Sequence, residues 1–198
     1  MGSYRAPAAE SRAEVREKGS VFLAAIGPAA DEAAAKAFLQ SLEREFPDAT
    51  HHCWAWRLGS PARERGSDAG EPSGTAGVPI LQVLRGAGLS DAVAVVVRWF
   101  GGTKLGKGGL ARAYAGATRE ALAGLAVAER VPTVTVDVEV PYEKVGAVKR
   151  LLRPPEVELE AEEYGATARL RLSVHEERLE ALREALADLG LESSKPMK

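Results

Sequence analysis

"DAVAVVVRWFGGTKLGKGGLARAYAGATREALAGL", residues 91–125, decides the architecture. It opens on a nearly continuous apolar run, residues 92–97, that reads as a β-strand buried on both faces. A glycine-rich turn follows, then a helix starting near residue 108. Its apolar stripe is Leu110, Tyr114, Ala117, Ala121 and Leu125, at helical spacing. Arg112 and Arg119, seven residues apart, share another face of that helix.

The spacing Gly101-x-x-x-x-Gly106-Lys107 imitates the start of a phosphate-binding P-loop, placed as one would be between a strand and a helix. Position 108 is glycine, however, where such a loop needs Ser or Thr to hold Mg²⁺. The acid that would end a partner strand appears only as Asp137, in a different part of the chain. No nucleoside triphosphate is therefore expected. A more general affinity survives: backbone N–H groups, a helix N-terminus, Lys104 and Lys107 favour an anion such as phosphate. The alternative is a tight turn whose glycines adopt positive φ. Residues 98–119 contain Arg98, Lys104, Lys107, Arg112 and Arg119 and no acid. Arg112 and Arg119 extend this positive loop into a phosphate-tracking stripe or form a solvated face.

Working outward, residues 19–27 read as a strand. An amphipathic helix follows, capped by Asp31 and ended by Pro47. "THHCWAWRLG", 50–59, is rich in β-formers. His51 and Cys53 share one of its faces and His52 the other, so no metal site closes there without distant partners. Trp54 and Trp56 belong to the core or, if exposed, could stack nucleobases. Residues 60–79 read as one long loop, and loops of that length are commonly functional. This one concentrates Asp68, Glu71, Ser73 and Thr75 among glycines. Its two carboxylates suit an acid–base pair or a hard cation, but the same residues build ordinary turns. No metal and no cofactor are expected. A short helix begins at Pro79.

After residue 130 the pattern changes. Val134, Val136, Val138 and Val140 alternate along a strand. A helix over 142–152, two strands joined at Gly165, a helix with Leu179, Leu182, Leu186 and Leu189 inward, and a tail "LESS" as last strand complete a β-α-β-β-α-β order. That order is ferredoxin-like. The domains are expected at 1–130 and 131–198.

The chain has 198 residues, one cysteine and a net charge of −2, so no whole-protein basic field advertises a nucleic-acid partner. Residues 1–130 carry 16 Lys+Arg against 14 Asp+Glu, and residues 131–198 carry 10 against 14. No apolar run approaches the roughly 20 residues that span a bilayer, and the first 20 residues lack the apolar core of a secretory signal. A cytoplasmic protein with no membrane partner is expected.

"ATHHCWAWRLG", "SDAGEPSGTAGVPIL" and "VVVRWFGGTKLGKGGLARAY", in that order and spacing, resemble the IMPACT/YigZ family in its bacterial two-domain form. The resemblance implies an α+β chain. Its first domain would be a ribosomal-protein domain 2-like α/β sandwich, a four-stranded sheet with helices on one face. Its second would be the ferredoxin-like domain, the tandem resembling the last two domains of elongation factor G. Eukaryotic members regulate translation, and binding to nucleic acid or the ribosome is suggested for bacterial ones. The family pattern falls on His51, Cys53, Asp68, Glu71, Pro72, Ser73, Gly74, Thr75, Gly77, Arg98, Gly101, Gly102, Lys104, Gly106, Gly108, Gly109, Arg112 and Tyr114. Ala69 departs from it, since the family usually carries a second aspartate there.

The expectation is a non-catalytic, translation-associated protein. It would contact RNA or the ribosome through Arg98, Gly101, Gly102, Lys104, Gly106, Gly108, Gly109, Arg112 and Arg119. That surface would be bordered by His51, Asp68, Glu71, Ser73 and Thr75. The alternatives are a protein-interaction module using the same surface and a hydrolase using Asp68, Glu71 and His51.

Overall fold

The computed structural model describes residues 3–197, so residues 1, 2 and 198 of the two expected domains lie outside the described residues. The protein is α+β. Tyr4–Arg130 forms one compact unit, and the chain from Val131 onward forms another.

The first unit is built on β6 (Ala92–Trp99), whose residues are buried through Arg98. β3 (Ser20–Pro28) and β4 (His51–Leu58) pair with it on either side, both antiparallel. β2 (Ser11–Glu17) and β5 (Arg63–Ser67) close the edges, giving the order β2-β3-β6-β4-β5. Phe22, Ile26, Cys53, Ala55, Ala94 and Val96 point to one face, against α2 (Gly77–Gly86) and α3 (Gly106–Ala123). Val93, Val95, Val97, Trp56 and Leu58 point to the other, against α1 (Glu32–Glu45). The apolar run of β6 is continuous because helices cover both sides of it. Each fully buried side chain as large as Phe22 or Ile26 contributes about 1.5–3 kcal/mol of transfer free energy.

Asp31 caps α1, its Oδ1 accepting from Ala34 N at 2.7 Å. Trp54 and Trp56 pack with that helix, so they serve the core. The implied four-stranded sheet with helices on one face is corrected: there are five strands, with helices on both faces. The loop expected at 60–79 contains β5, an edge strand without β-formers that pairs backbone to backbone with β4. Helix α3 ends at Ala123, and the chain then forms β7 (Val127–Arg130), antiparallel to β1 (Tyr4–Pro7) in a two-stranded ribbon.

The second unit has β8 (Thr133–Val140), a 3₁₀ turn leading into α4 (Val145–Lys149), β9 (Val157–Tyr164), β10 (Ala168–His175), and a 3₁₀ turn leading into α5 (Leu179–Asp188). The sheet order is β8-β10-β9, all antiparallel. Val134, Val136, Val138, Val140, Leu170, Leu172 and Val174 face Val148, Leu182 and Leu186 of the helices. The tail is not a regular strand: it bridges β8 at two points, Val138 to Ser193 and Thr135 to Met197. Those bridges occupy the outer edge of β8, where a ferredoxin-like fold sets its fourth strand.

Candidate functional site

At the end of β6, Arg98 sits opposite Phe22 on β3 and His51 on β4. A charge ending an apolar strand is costly to bury unless paired, and Arg98 is only 5% exposed. Its Nη1 donates to Glu71 Oε1, and the two side chains are 6% and 3% exposed. The guanidinium lies over the rings of Phe22, at 5.3 Å, and Phe100, at 5.6 Å. Its Nη2 reaches Ser20 Oγ at 3.4 Å, and its Nε has no partner among the described residues.

Glu71 also accepts from Tyr114 Oη, from α3, at 2.8 Å. His51 Nε2 stands 3.9 Å from the same carboxylate oxygen. His51 Nδ1 lies 2.9 Å from Ala69 O, and since a carbonyl only accepts, this nitrogen carries the proton. Cys53 Sγ is 2.9 Å from Asp68 O and 3.3 Å from Tyr114 Oη. Burial, reinforced by the charges of Glu71 and Asp68, pushes the Cys53 thiol up to about 12, against the opposing effect of its hydrogen bond with Tyr114. It therefore stays protonated and unreactive at neutral pH. Sheet, loop and α3 are thus tied together by one buried polar cluster.

Asp68 does different work. Its Oδ1 accepts from Ala76 N and Gly77 N at 2.8 and 2.9 Å, and its Oδ2 from Gly74 N at 2.8 Å. Burial pushes this carboxyl upward, but the backbone N–H groups around it outweigh that and hold it below the usual range. Thr75 is buried and donates to Pro72 O at 2.6 Å, while Ser73 is exposed. Both carboxylates of the loop are thus partnered within the fold. One folds the loop onto the start of α2, and the other neutralises Arg98.

The glycine-rich segment leaves the sheet at Gly101, whose N–H donates to Ser20 Oγ at 3.1 Å. A Cβ at Gly101 would stand 1.8 Å from the carbonyl carbon of Gly19, so only glycine lets this loop touch the β2–β3 turn. Gly102 and Gly106 have φ of +86° and +69°. Helix α3 begins after Leu105 with no side-chain cap and no acid in its first turn. The N–H groups of Gly102, Thr103, Lys104 and Leu105 find no backbone or side-chain acceptor among the described residues.

Lys104, Lys107, Arg112 and Arg119 are exposed and form no ion pair with another described residue. The Arg112 guanidinium lies back on the first turn of α3, 3.4 Å from where a Gly108 Cβ would be. Arg119 lines a groove with Pro79, Gln82 and Val83 of α2. Arg98 does not belong with these cations, because its charge is turned inward and paired. Gly108 and Gly109 lie within the helix and need no special backbone conformation. The sequence reading missed the Arg98–Glu71 pair. The available signal was the lone arginine ending an otherwise apolar strand, which demands a buried acid.

The sequence pattern of the Impact N-terminal domain matches residues 18–122, just over half of the chain. The chain belongs to the IMPACT family. A second pattern, a domain of unknown function (DUF1949), matches residues 138–190. The IMPACT family member YigZ of Escherichia coli (strain K12) is 36% identical over 96% of this chain and 95% of its own length. An IMPACT family member of Thermus thermophilus is 48% identical over 71% of this chain and 76% of its own. A solved structure of a protein described as hypothetical is 35% identical, covering 98% of this chain and 97% of that one, with a TM-score of 0.79.

In this IMPACT member, Ala69 has φ of +45°, the left-handed region. Aspartate tolerates that conformation better than alanine does. The aspartate of the family pattern thus has a backbone reason to stand there, apart from any chemistry. No helix of the described residues is long and apolar enough to cross a membrane.

Proposed function

We propose that this IMPACT family member is a non-catalytic, translation-associated regulatory protein. It binds RNA or the ribosome through the glycine-rich loop after β6 and the exposed face of α3. The observation that carries this reading is the set of exposed cations Lys104, Lys107, Arg112 and Arg119, which form no ion pair among the described residues. The first three surround a helix N-terminus that has neither a side-chain cap nor an acid, and Arg119 stands further along the same helix. Phosphate oxygens are the complement of such a surface: free N–H groups and the helix dipole attract an anion, and the cations displace its counterions. Family membership supports the translation setting, which the family resemblance implies for its eukaryotic members. Arg98, Glu71, Tyr114 and Asp68 serve this surface indirectly by fixing the loops that present it. A cytoplasmic location follows from the same reading.

A protein partner on the same surface is the second reading. It is favoured by Val78, 52% exposed at the start of α2, and by a groove lined by Val83 of the same helix with Ala115 and Leu122. Hydrolysis is disfavoured, since Asp68 and Glu71 already have their partners within the fold.

Sedimentation of the tagged protein through a ribosome profile tests the proposal. It is expected to travel with ribosomal fractions at about 50 mM salt and to leave them near 200 mM. Nuclease treatment is expected to release it as well. A protein that stays at the top of the gradient at low salt, or that remains with one defined protein after nuclease treatment, contradicts RNA or ribosome binding.

A further inference from the structure

Phe100 is 47% exposed, although it directly follows the buried end of β6. It is held rather than loose: its N–H donates to Thr50 Oγ1 at 3.1 Å, and the next N–H, of Gly101, donates to Ser20 Oγ. The Arg98 guanidinium lies 5.6 Å from its ring and is itself fixed by Glu71. The buried ion pair thus backs a surface aromatic. Lys104 lies four residues further on. Lys18 lies in the β2–β3 turn, whose Gly19 meets the backbone of Gly101. Both lysines are exposed and unpaired among the described residues.

We propose that Phe100 is a stacking platform for an unpaired nucleobase, with Lys104 and Lys18 on the flanking phosphates. The inference rests on the RNA-binding reading and narrows it to single-stranded segments. Bases within an A-form helix stack on one another, and only splayed bases offer a face to an aromatic side chain. The other exposed aromatic pair, Tyr142 and Tyr164 with centroids 6.1 Å apart, lacks this setting. Its neighbour Lys149 is bound to Glu162, and Glu160 and Glu163 lie along the same strand.

The test is titration of the full chain with a labelled random-sequence single-stranded RNA of roughly 12 nucleotides, and with the same RNA annealed to its complement. Single strands are expected to bind more tightly than the duplex. Phe100→Leu, which keeps apolar bulk but removes the π face, is expected to weaken single-strand binding by about 10-fold at an unchanged salt slope. Phe100→Tyr is expected to retain wild-type affinity. Lys18→Ala is expected to flatten the log–log salt slope by about 0.7. Wild-type affinity in Phe100→Leu, or equal binding of duplex and single strand, overturns the inference while the RNA reading stands. Absence of salt-dependent binding to either RNA removes both.

Discussion

Arg98 at the end of β6 and Glu71 in the loop before α2 form an ion pair with side chains 6% and 3% exposed, joined by Tyr114 from α3. Removing one partner leaves a buried charge uncompensated. Glu71→Ala is therefore expected to destabilise the first unit by about 3–5 kcal/mol, read as a lowered denaturant midpoint. Arg98→Met combined with Glu71→Ala is expected to recover most of that loss. A double variant as unstable as the sum of the single ones would mean that the pair does not act as a unit.

Asp68 confers an acid-sensitive component of stability. Its carboxyl is held below the usual range in the folded chain by the surrounding N–H groups, against the upward push of burial. The contribution is fully present above the unfolded value near 3.9 and is lost as pH falls through the lower folded value. Asp68→Asn is expected to cost about 1–2 kcal/mol at neutral pH, the scale of a lost cap. The gap from wild type is expected to close below pH of about 4. Parallel stability curves across that range would contradict the assignment.

Two glycines are expected to respond in opposite directions. A methyl at Gly101 meets the backbone of Gly19 at 1.8 Å, where nothing flexible can yield. Gly101→Ala is expected to cost roughly 2 kcal/mol or more and to displace the loop. Gly116, inside α3, would meet nothing within 4 Å. Gly116→Ala is expected to stabilise by about 0.5–1 kcal/mol. Thermal melts of the two variants side by side check both signs.

Position 69 is a backbone position. With φ of +45°, Ala69→Gly is expected to stabilise by up to about 1 kcal/mol and Ala69→Val to cost about 1–2 kcal/mol. Ala69→Asp, which restores the family pattern, is expected to leave the protein without hydrolytic turnover. Metal-dependent turnover in that variant would revive the hydrolase reading.

The sequence made β6, α1 and α3 legible because side chains carry their signals: an apolar run, an Asp31 cap, a stripe ending in Tyr114 and Ala121. It hid β5, whose "RERGS" forms a strand only because β4 offers an edge, and β2, whose inward residues Ala13 and Val15 are too few to announce a period. Glu71, Arg98, His51 and Asp68 were all conspicuous singly. Their assembly was not, because Arg98 and Glu71 lie 27 residues apart and meet only once the register of β4 and β6 is fixed. The inward turn of Arg98 therefore reverses the surface role its charge suggested.

The salt dependence of RNA binding tests the central claim most directly. Wild-type affinity for single-stranded RNA is expected to fall linearly on a log–log plot of salt. Lys104→Ala with Arg112→Ala is expected to flatten that slope by about 1.4, or 0.7 for each lost phosphate contact. Both side chains are exposed and unpaired among the described residues, so the fold is expected to stay intact in the variant. A wild-type slope of zero, or a double variant with an unchanged slope, would contradict an RNA-binding surface at this loop.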